Sequence, residues 1–162
     1  MGVIQRNLGN ILENNMMDYY NDILKHRAIP DVRDGLMEVQ RRTIYGAYEI
    51  KAFSNKPHVK SVKVVSQGLL RHPHGDSALY IALTNMAQYW KNHLMYFDKN
   101  GSVGTVYGDE PAAMRYLEIR LHKNAENLLL DQVDNCVDFK KTFDEDGREP
   151  TVLPAKLPLY II

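Results

Sequence analysis

The sequence has little cysteine and no long apolar run, and each shortage excludes a class of protein. Among the 162 residues Cys136 is the single cysteine, so no disulfide can form within the chain. No apolar stretch approaches the ~20 residues that are needed to cross a bilayer. The N-terminus lacks the basic and apolar segments of a secretion signal. We therefore expect a cytoplasmic protein that does not contact a membrane.

The chain also lacks net charge, because 20 Lys and Arg residues balance 20 Asp and Glu residues. Neutrality by itself argues weakly against a nucleic-acid partner. The charges are unevenly distributed, however: residues 20–74 carry ten basic and five acidic side chains, whereas residues 125–162 carry four and eight. This pattern favours separate basic and acidic surfaces. The alternative is an ordinary solvated surface.

The composition, with 44% hydrophobic and 25% charged residues, is typical of a folded globular protein. Apolar spacing predicts helices over 10–25, 38–51, 62–70, 78–89 and from 124 to about 133. We expect Ser61, Asp76 or Ser77, and Asn124 to cap the last three helices. The turn with Gly75 between two of these helices predicts a helix-turn-helix. Asn100-Gly101, between the β-prone runs 94–97 and 102–107, predicts a hairpin. This order is typical of a winged helix, and the expected fold class is α+β.

A tyrosine directly after an arginine, Arg115-Tyr116, opens a segment with the period of a half-buried strand. Leu117, Ile119 and Leu121 alternate with Tyr116, Glu118 and Arg120. A tyrosine on the polar face can attack a phosphodiester. An unperturbed phenol has a pKa of about 10, and a neighbouring guanidinium favours the phenolate. The alternative is a tyrosine that only packs.

Three further motifs stand in order before and around this tyrosine. Residues 27–36 read RAIPDVRDGL and are followed by VQRR at 39–42; residues 72–78 read HPHGDSA; residues 108–120 read GDEPAAMRYLEIR. Together these segments resemble the breakage-reunion (A) subunit of bacterial type IIA topoisomerases, that is, DNA gyrase and topoisomerase IV. The resemblance runs from about Met17 to about Pro158.

The resemblance implies an organisation along the chain. Residues 1–26 would be an N-terminal helical arm, residues 27–133 the winged-helix breakage-reunion domain, and residues 134–162 the start of a truncated β-rich tower domain. In this family the A subunits form homodimers and join B subunits in an A2B2 complex. The B subunit carries the ATPase and the TOPRIM domain that holds Mg²⁺.

The resemblance also implies the site residues and the reaction. Tyr116 would attack a phosphate of double-stranded DNA, forming a 5′-phosphotyrosine bond that is later resealed, while Arg115 stabilises the transition state. The residues expected to contact DNA are Arg27, Arg42, His72, His74 and Ser77. Mg²⁺ and ATP would come from the B subunit, since we identify no paired-acid metal motif in this chain.

Several alternatives stay open in the sequence. Arg33 and Arg41 could contact DNA or could pair with nearby acids. His72 and His74 have a spacing that suits zinc, but no third ligand stands nearby apart from Asp76, so we expect no metal site there. Ile81 stands where the family has an acidic residue that takes part in quinolone binding. The chain could also be a non-catalytic DNA-binding fragment or a truncated homologue that regulates a full-length enzyme. Gyrase and topoisomerase IV are not separated by these motifs.

Overall fold

The computed structural model describes residues 7–160 and contains both helices and strands. The helices are α1 (Leu8–Ile23), α2 (Glu38–Glu49), α3 (Ser61–Leu69), α4 (Asp76–Met86), α5 (Lys123–Leu129) and α6 (Val133–Cys136). The strands are β1 (Val59–Lys60), β2 (Phe97–Asn100), β3 (Glu118–Leu121), β4 (Phe139–Lys141) and β5 (Arg148–Pro150). The α+β class predicted from the sequence is confirmed.

Helices α2, α3 and α4 pack against one another and supply much of the hydrophobic core. A Cβ atom at Gly46 of α2 would lie 3.2 Å from the backbone nitrogen of Gly68 and 3.3 Å from the carbonyl oxygen of Val64. The missing side chain therefore lets α2 and α3 approach closely. The largest fully buried side chains include Phe97, Leu36, Ile44, Leu79, Leu83 and Met86.

A three-stranded antiparallel sheet in the order β1-β3-β2 lies beside these helices. Leu117, Ile119 and Leu121 are fully buried, so the predicted alternation around β3 is confirmed. The strand itself begins only at Glu118. Tyr116 lies in the turn that precedes it and is 63% exposed.

The hairpin predicted around Asn100-Gly101 is wrong. Residues 98–100 belong to strand β2, whose partner is β3 rather than residues 102–107. Side-chain contacts across the strands explain the difference: Arg120 forms an ion pair with Asp98, and Asn100 donates to Glu118. Residues 101–117 form a long loop instead. Gly104 has a φ of +91° there, and a Cβ atom would lie 2.5 Å from the carbonyl oxygen of Asp109.

The predicted capping residues are also wrong. Lys60 rather than Ser61 precedes α3, and Gly75, with a φ of +88°, precedes α4. His122 caps α5 by accepting a hydrogen bond from the backbone N–H of Asn124 at 3.2 Å. The helix predicted to run to about 133 ends at Leu129, and the chain turns through Gln132 before α6.

The N-terminal helix and the C-terminal hairpin flank this core. Helix α1 buries none of its residues and continues into a π-helical turn, Leu24–Ala28. Strands β4 and β5 form an antiparallel hairpin. No helix within residues 7–160 is long and apolar enough to cross a bilayer.

A buried carboxylate, Asp34, ties the C-terminal segment to the helical core. Arg41 donates to it from Nε at 2.6 Å and from Nη2 at 3.0 Å, and the backbone N–H of Leu153 donates at 2.9 Å. Breaking one partner of such a buried pair costs about 3–5 kcal/mol. The predicted boundary at 133/134 stays a prediction, but the segments on its two sides share this hydrogen-bond network.

Candidate DNA-contacting site

Four of the residues predicted to contact DNA come together in the structure. Arg27 and His74 form a hydrogen bond, and so do Arg42 and His72, with 3.3 Å between Arg42 Nη1 and His72 Nδ1. The two imidazole rings meet edge to face, with centroids 5.5 Å apart. These side chains line a cavity of about 880 Å³. We call Arg27, Arg42, His72 and His74 the basic cluster.

The basic cluster comes from three separate segments. Arg27 belongs to the π-helical turn after α1, and Arg42 lies on the face of α2 that meets this turn. Both histidines come from the turn between α3 and α4. The positive φ of Gly75, a backbone conformation that suits glycine, ends this turn at the start of α4. Ser77 lies on the exposed first turn of α4, although it does not line the cavity.

The fourth wall of the cavity comes from the hairpin β4–β5, whose position beside α2 the sequence did not indicate. Glu149 of β5 receives hydrogen bonds from Arg42 Nε at 2.7 Å and from Arg42 Nη2 at 2.9 Å. Both side chains are largely buried, with 12% of Arg42 and 4% of Glu149 exposed. Glu38 lies 3.1 Å from Arg42, and Lys140 contacts both Glu38 and Glu149. The expected separation of basic and acidic surfaces is therefore wrong at this cavity.

Burial and neighbouring charges shift the pKa values of His72 and Arg42 in the basic cluster. Burial lowers the pKa of His72 below its ordinary value, and the positive charge of Arg42 and the neighbouring His74 lower it further. Burial acts to lower the pKa of Arg42, but the hydrogen bond to Glu149 and the negative charges of Glu149 and Glu38 together outweigh it, so the pKa is raised. His72 is therefore a neutral imidazole beside the Arg42 cation near pH 7.

Arg33 and Arg41 pair with nearby acidic residues, which is the second of the two alternatives that the sequence left open. Arg33 forms a fork with Asp31, from Nε at 3.0 Å and from Nη2 at 2.8 Å. This contact lowers the pKa of Asp31 to about 2. Arg41 is bound to the buried Asp34. Neither arginine lines the cavity of the basic cluster.

Tyr116 and Arg115 stand apart from the residues that line this cavity. The guanidinium carbon of Arg115 lies 4.8 Å from the centroid of the Tyr116 ring, so the cation covers the ring face. The backbone around the pair is held firmly. Ser61 donates from Oγ to the carbonyl of Met114 at 2.8 Å and from its backbone N–H to that of Leu117 at 2.9 Å.

A second contact supports the same loop from α4. The hydroxyl of Tyr80 donates to the carbonyl oxygen of Ala112. Tyr116 is thus an exposed phenol in a loop that Ser61 and Tyr80 hold by hydrogen bonds. The sequence indicated the alternation around Tyr116 but not the residues that hold the loop.

Metal ligation has no candidate in the described part of the chain. Residues 7–160 contain no group of three or more His, Cys, Asp or Glu side chains that could hold a metal ion. His72 and His74 are instead engaged with arginines.

Comparisons with known proteins agree with the resemblance seen in the motifs. A family profile for the A subunit of DNA gyrase/topoisomerase IV matches residues 27–162. The chain is 40% identical over 161 residues to the DNA gyrase A subunit of Streptococcus pneumoniae serotype 4, a match that covers 99% of this chain and 20% of the relative. It is 41% identical over 161 residues to that of Streptococcus pyogenes serotype M3, covering 99% and 19%.

A similar match comes from outside the streptococci. The chain is 42% identical over 152 residues to the DNA gyrase A subunit of Deinococcus deserti, which covers 93% of this chain and 19% of the relative. The chain thus spans about a fifth of the length of the curated relatives that it matches.

Proposed function

Since this chain belongs to the family of DNA gyrase and topoisomerase IV A subunits, we propose that it is the DNA-cleaving and religating part of a type II topoisomerase. The exposed Tyr116, on a backbone clamped by Ser61 and Tyr80, is the observation that carries this proposal. Helices α3 and α4 with the sheet β1-β3-β2 would act as a winged helix that binds double-stranded DNA.

The proposed reaction exchanges one phosphoester for another. The Tyr116 hydroxyl loses its proton, and its oxygen attacks phosphorus to form a 5′-phosphotyrosine bond. The bond from phosphorus to the 3′ oxygen breaks, and that oxygen takes up a proton. Religation is the reverse, so no external energy is needed to reseal the strand. Arg115 and the basic cluster supply positive charge for the phosphate oxygens.

We propose that Mg²⁺ and ATP hydrolysis come from a partner B subunit in an A2B2 assembly. The metal would supply further positive charge to the reacting phosphate. The chain by itself is then expected to bind DNA but not to cleave it efficiently.

A second candidate is a non-catalytic DNA-binding fragment, or a truncated homologue that regulates a full-length topoisomerase. One observation favours it: Tyr116 and Arg115 do not line the cavity of the basic cluster. Such a chain would bind DNA through Arg27 and its neighbours and would never become attached to it. The two candidate functions differ in whether the chain becomes covalently attached to DNA.

The substitution Tyr116→Phe tests the proposal. We expect it to abolish covalent protein–DNA complexes, because the nucleophilic oxygen is removed, and to leave DNA affinity nearly intact, because the ring remains. The measurement is denaturing electrophoresis of 5′-labelled and 3′-labelled duplexes after reaction with the chain, Mg²⁺ and a B subunit. Tyr107→Phe is the matched control, since Tyr107 is 97% exposed in the same loop.

Three results would contradict the cleavage proposal. Covalent product from Tyr116→Phe would assign the nucleophile elsewhere, and attachment to a 3′ end would exclude the proposed chemistry. No covalent product from the unaltered chain, with DNA binding retained, would favour the non-catalytic candidate.

A further inference from the structure

Glu149 of β5 holds Arg42 of α2 by two hydrogen bonds across 107 residues of sequence. A bidentate contact fixes the plane of the guanidinium as well as its position. Arg42 Nε and Nη2 are both occupied by Glu149, which leaves Nη1 directed at His72 Nδ1, 3.3 Å away. The orientation of His72 therefore depends on Glu149.

The contact between Arg42 and His72 determines where the imidazole carries its proton. An arginine side chain has only donors, so His72 Nδ1 must accept and cannot carry a hydrogen. A neutral ring then has its hydrogen on Nε2. The Nε2 atom is buried and has no hydrogen-bond partner within the described residues. A buried donor without a partner is costly, so we expect the His72 ring to shift toward a ligand that accepts from Nε2 when one enters the cavity.

The surroundings indicate what this ligand is. His72 lines the same cavity as the exposed Arg27, the partner of His74, and as Lys140 and Lys141. Arginine forks, lysines and imidazole N–H groups together suit an anionic oxygen acceptor, and a phosphate oxygen is such an acceptor. Glu38 and Glu149, two of the three acidic residues that line the cavity, are themselves bonded to cations.

We propose that Glu149 is a positioning residue: through Arg42 it holds His72 in the tautomer that offers Nε2–H to a phosphate oxygen in the cavity. The proposal rests on the proposed function only in identifying that oxygen as part of a DNA phosphate. The Glu149 carboxylate acts indirectly, because Arg42 lies between it and His72.

This role predicts a different result of removing Glu149 from the one that its negative charge alone would predict. Removing a carboxylate near a phosphate site should strengthen DNA binding, because a like charge is lost. Removing a positioning carboxylate should instead release Arg42 toward Glu38, which lies 3.1 Å away. His72 would then lose the donor that fixes its tautomer.

The test is ¹⁵N–¹H NMR of the full chain with labelled histidine, at pH 7.5, with and without a short DNA duplex. In the unaltered chain we expect His72 with a protonated Nε2 and a bare Nδ1, and a downfield shift of the Nε2 proton on adding the duplex. In Glu149→Gln we expect a mixture of tautomers and no such shift. Asp146→Asn is the matched control, because Asp146 is exposed in the turn of the same hairpin and does not line the cavity.

A second variant tests the same contact independently, in case Glu149→Gln does not fold. Arg42→Lys keeps the positive charge, but one ammonium group cannot bind Glu149 and His72 in a fixed geometry as a guanidinium does. We therefore expect a mixture of His72 tautomers in this variant too. Amide spectra report whether each variant is folded. His74 is an internal reference: Arg27 donates to its Nε2, so it should carry its proton on Nδ1 in both Glu149→Gln and the unaltered chain.

Three outcomes would overturn the proposal. The first is a His72 of the unaltered chain that is protonated on Nδ1 or on both nitrogens; the second is a duplex that leaves its Nε2 proton unmoved. The third is a Glu149→Gln chain that keeps the unaltered tautomer and the duplex-induced shift. If the NMR result is as expected but Tyr116 never becomes attached to DNA, the proposed cleavage function fails and this inference stands.

Discussion

Ser61 holds the loop that carries Tyr116 through two hydrogen bonds. Its side chain is fully buried at the start of α3, and its Oγ donates to Met114 two residues before Tyr116. A hydroxyl in this place holds the loop to the helix rather than capping the helix. The sequence indicated Ser61 only as a cap, because its partner lies 53 residues away.

Replacing this hydroxyl should weaken both the fold and the site. We expect Ser61→Ala to lower the free energy of unfolding by about 1–3 kcal/mol, since the Met114 carbonyl loses its partner. The yield of covalent DNA complexes should fall as well. Urea unfolding measures the first effect and denaturing electrophoresis the second.

Ser66→Ala is the control for this substitution, because Ser66 is exposed on the same helix. Surface changes of this kind stay within about 0.5 kcal/mol. Equal stability of the two variants would show that the Ser61 hydroxyl does not hold the loop.

At the scale of elements, α4 presents Ser77 and Ile81 on one exposed face. The two residues are four apart, which is about one helical turn, and Ile81 is 58% exposed. The resemblance implies that the drug is bound through a hydrated metal ion, and an isoleucine side chain offers no oxygen to such an ion. If the family's drug site lies on this face, as the resemblance implies, quinolones should be poor poisons of this protein.

Ile81→Asp should therefore raise the amount of quinolone-stabilised covalent DNA, with little effect on stability at an exposed position. The assay is cleavage with Mg²⁺ and a B subunit over a range of drug concentrations. Asn85→Asp adds the same charge one turn further along α4 and should leave the drug response unchanged. Full sensitivity of the unaltered protein, with no change in Ile81→Asp, would refute this explanation.

Sequence patterns predicted elements well wherever the signal was local. The periodicity of α1, α2, α3 and α4 and the alternation around Ile119 were each readable within a short window. The hairpin failed because Asn100-Gly101 has the composition of a tight turn, while the cross-strand contacts of Asp98 and Asn100 extend β2 to that point. The position of Glu149 could not be predicted, since nothing local relates it to Arg42.

At the scale of the whole molecule, the basic cluster and the cavity beside it determine how the chain should meet DNA. Most of Arg42 is buried and bonded to Glu149, whereas Arg27 is exposed. Arg27 is therefore the arginine of the cluster best placed to neutralise a phosphate without rearrangement. Binding that depends on such contacts weakens as salt is added. The logarithm of the binding constant falls linearly with the logarithm of the salt concentration, with a slope of about −0.9 for each phosphate neutralised.

Arg27→Ala should accordingly reduce the salt dependence of duplex binding by about one phosphate contact and weaken binding at low salt. Fluorescence anisotropy at several salt concentrations measures both quantities. Lys156→Ala is the control, because Lys156 pairs with Asp131 and does not line the cavity. A slope that is the same for Arg27→Ala and the unaltered chain would place the DNA on another surface.

The long sequence separations at Asp34 and Arg42 have a consequence for the order of synthesis. Asp34 binds the backbone of Leu153 across 119 residues, and Arg42 binds Glu149 across 107. Neither bond can form until the ribosome has made the distant partner, and each must close a long loop to do so. The segments that carry Asp34 and Arg42 are translated first, and these two bonds form only once residues 149–153 have joined the fold.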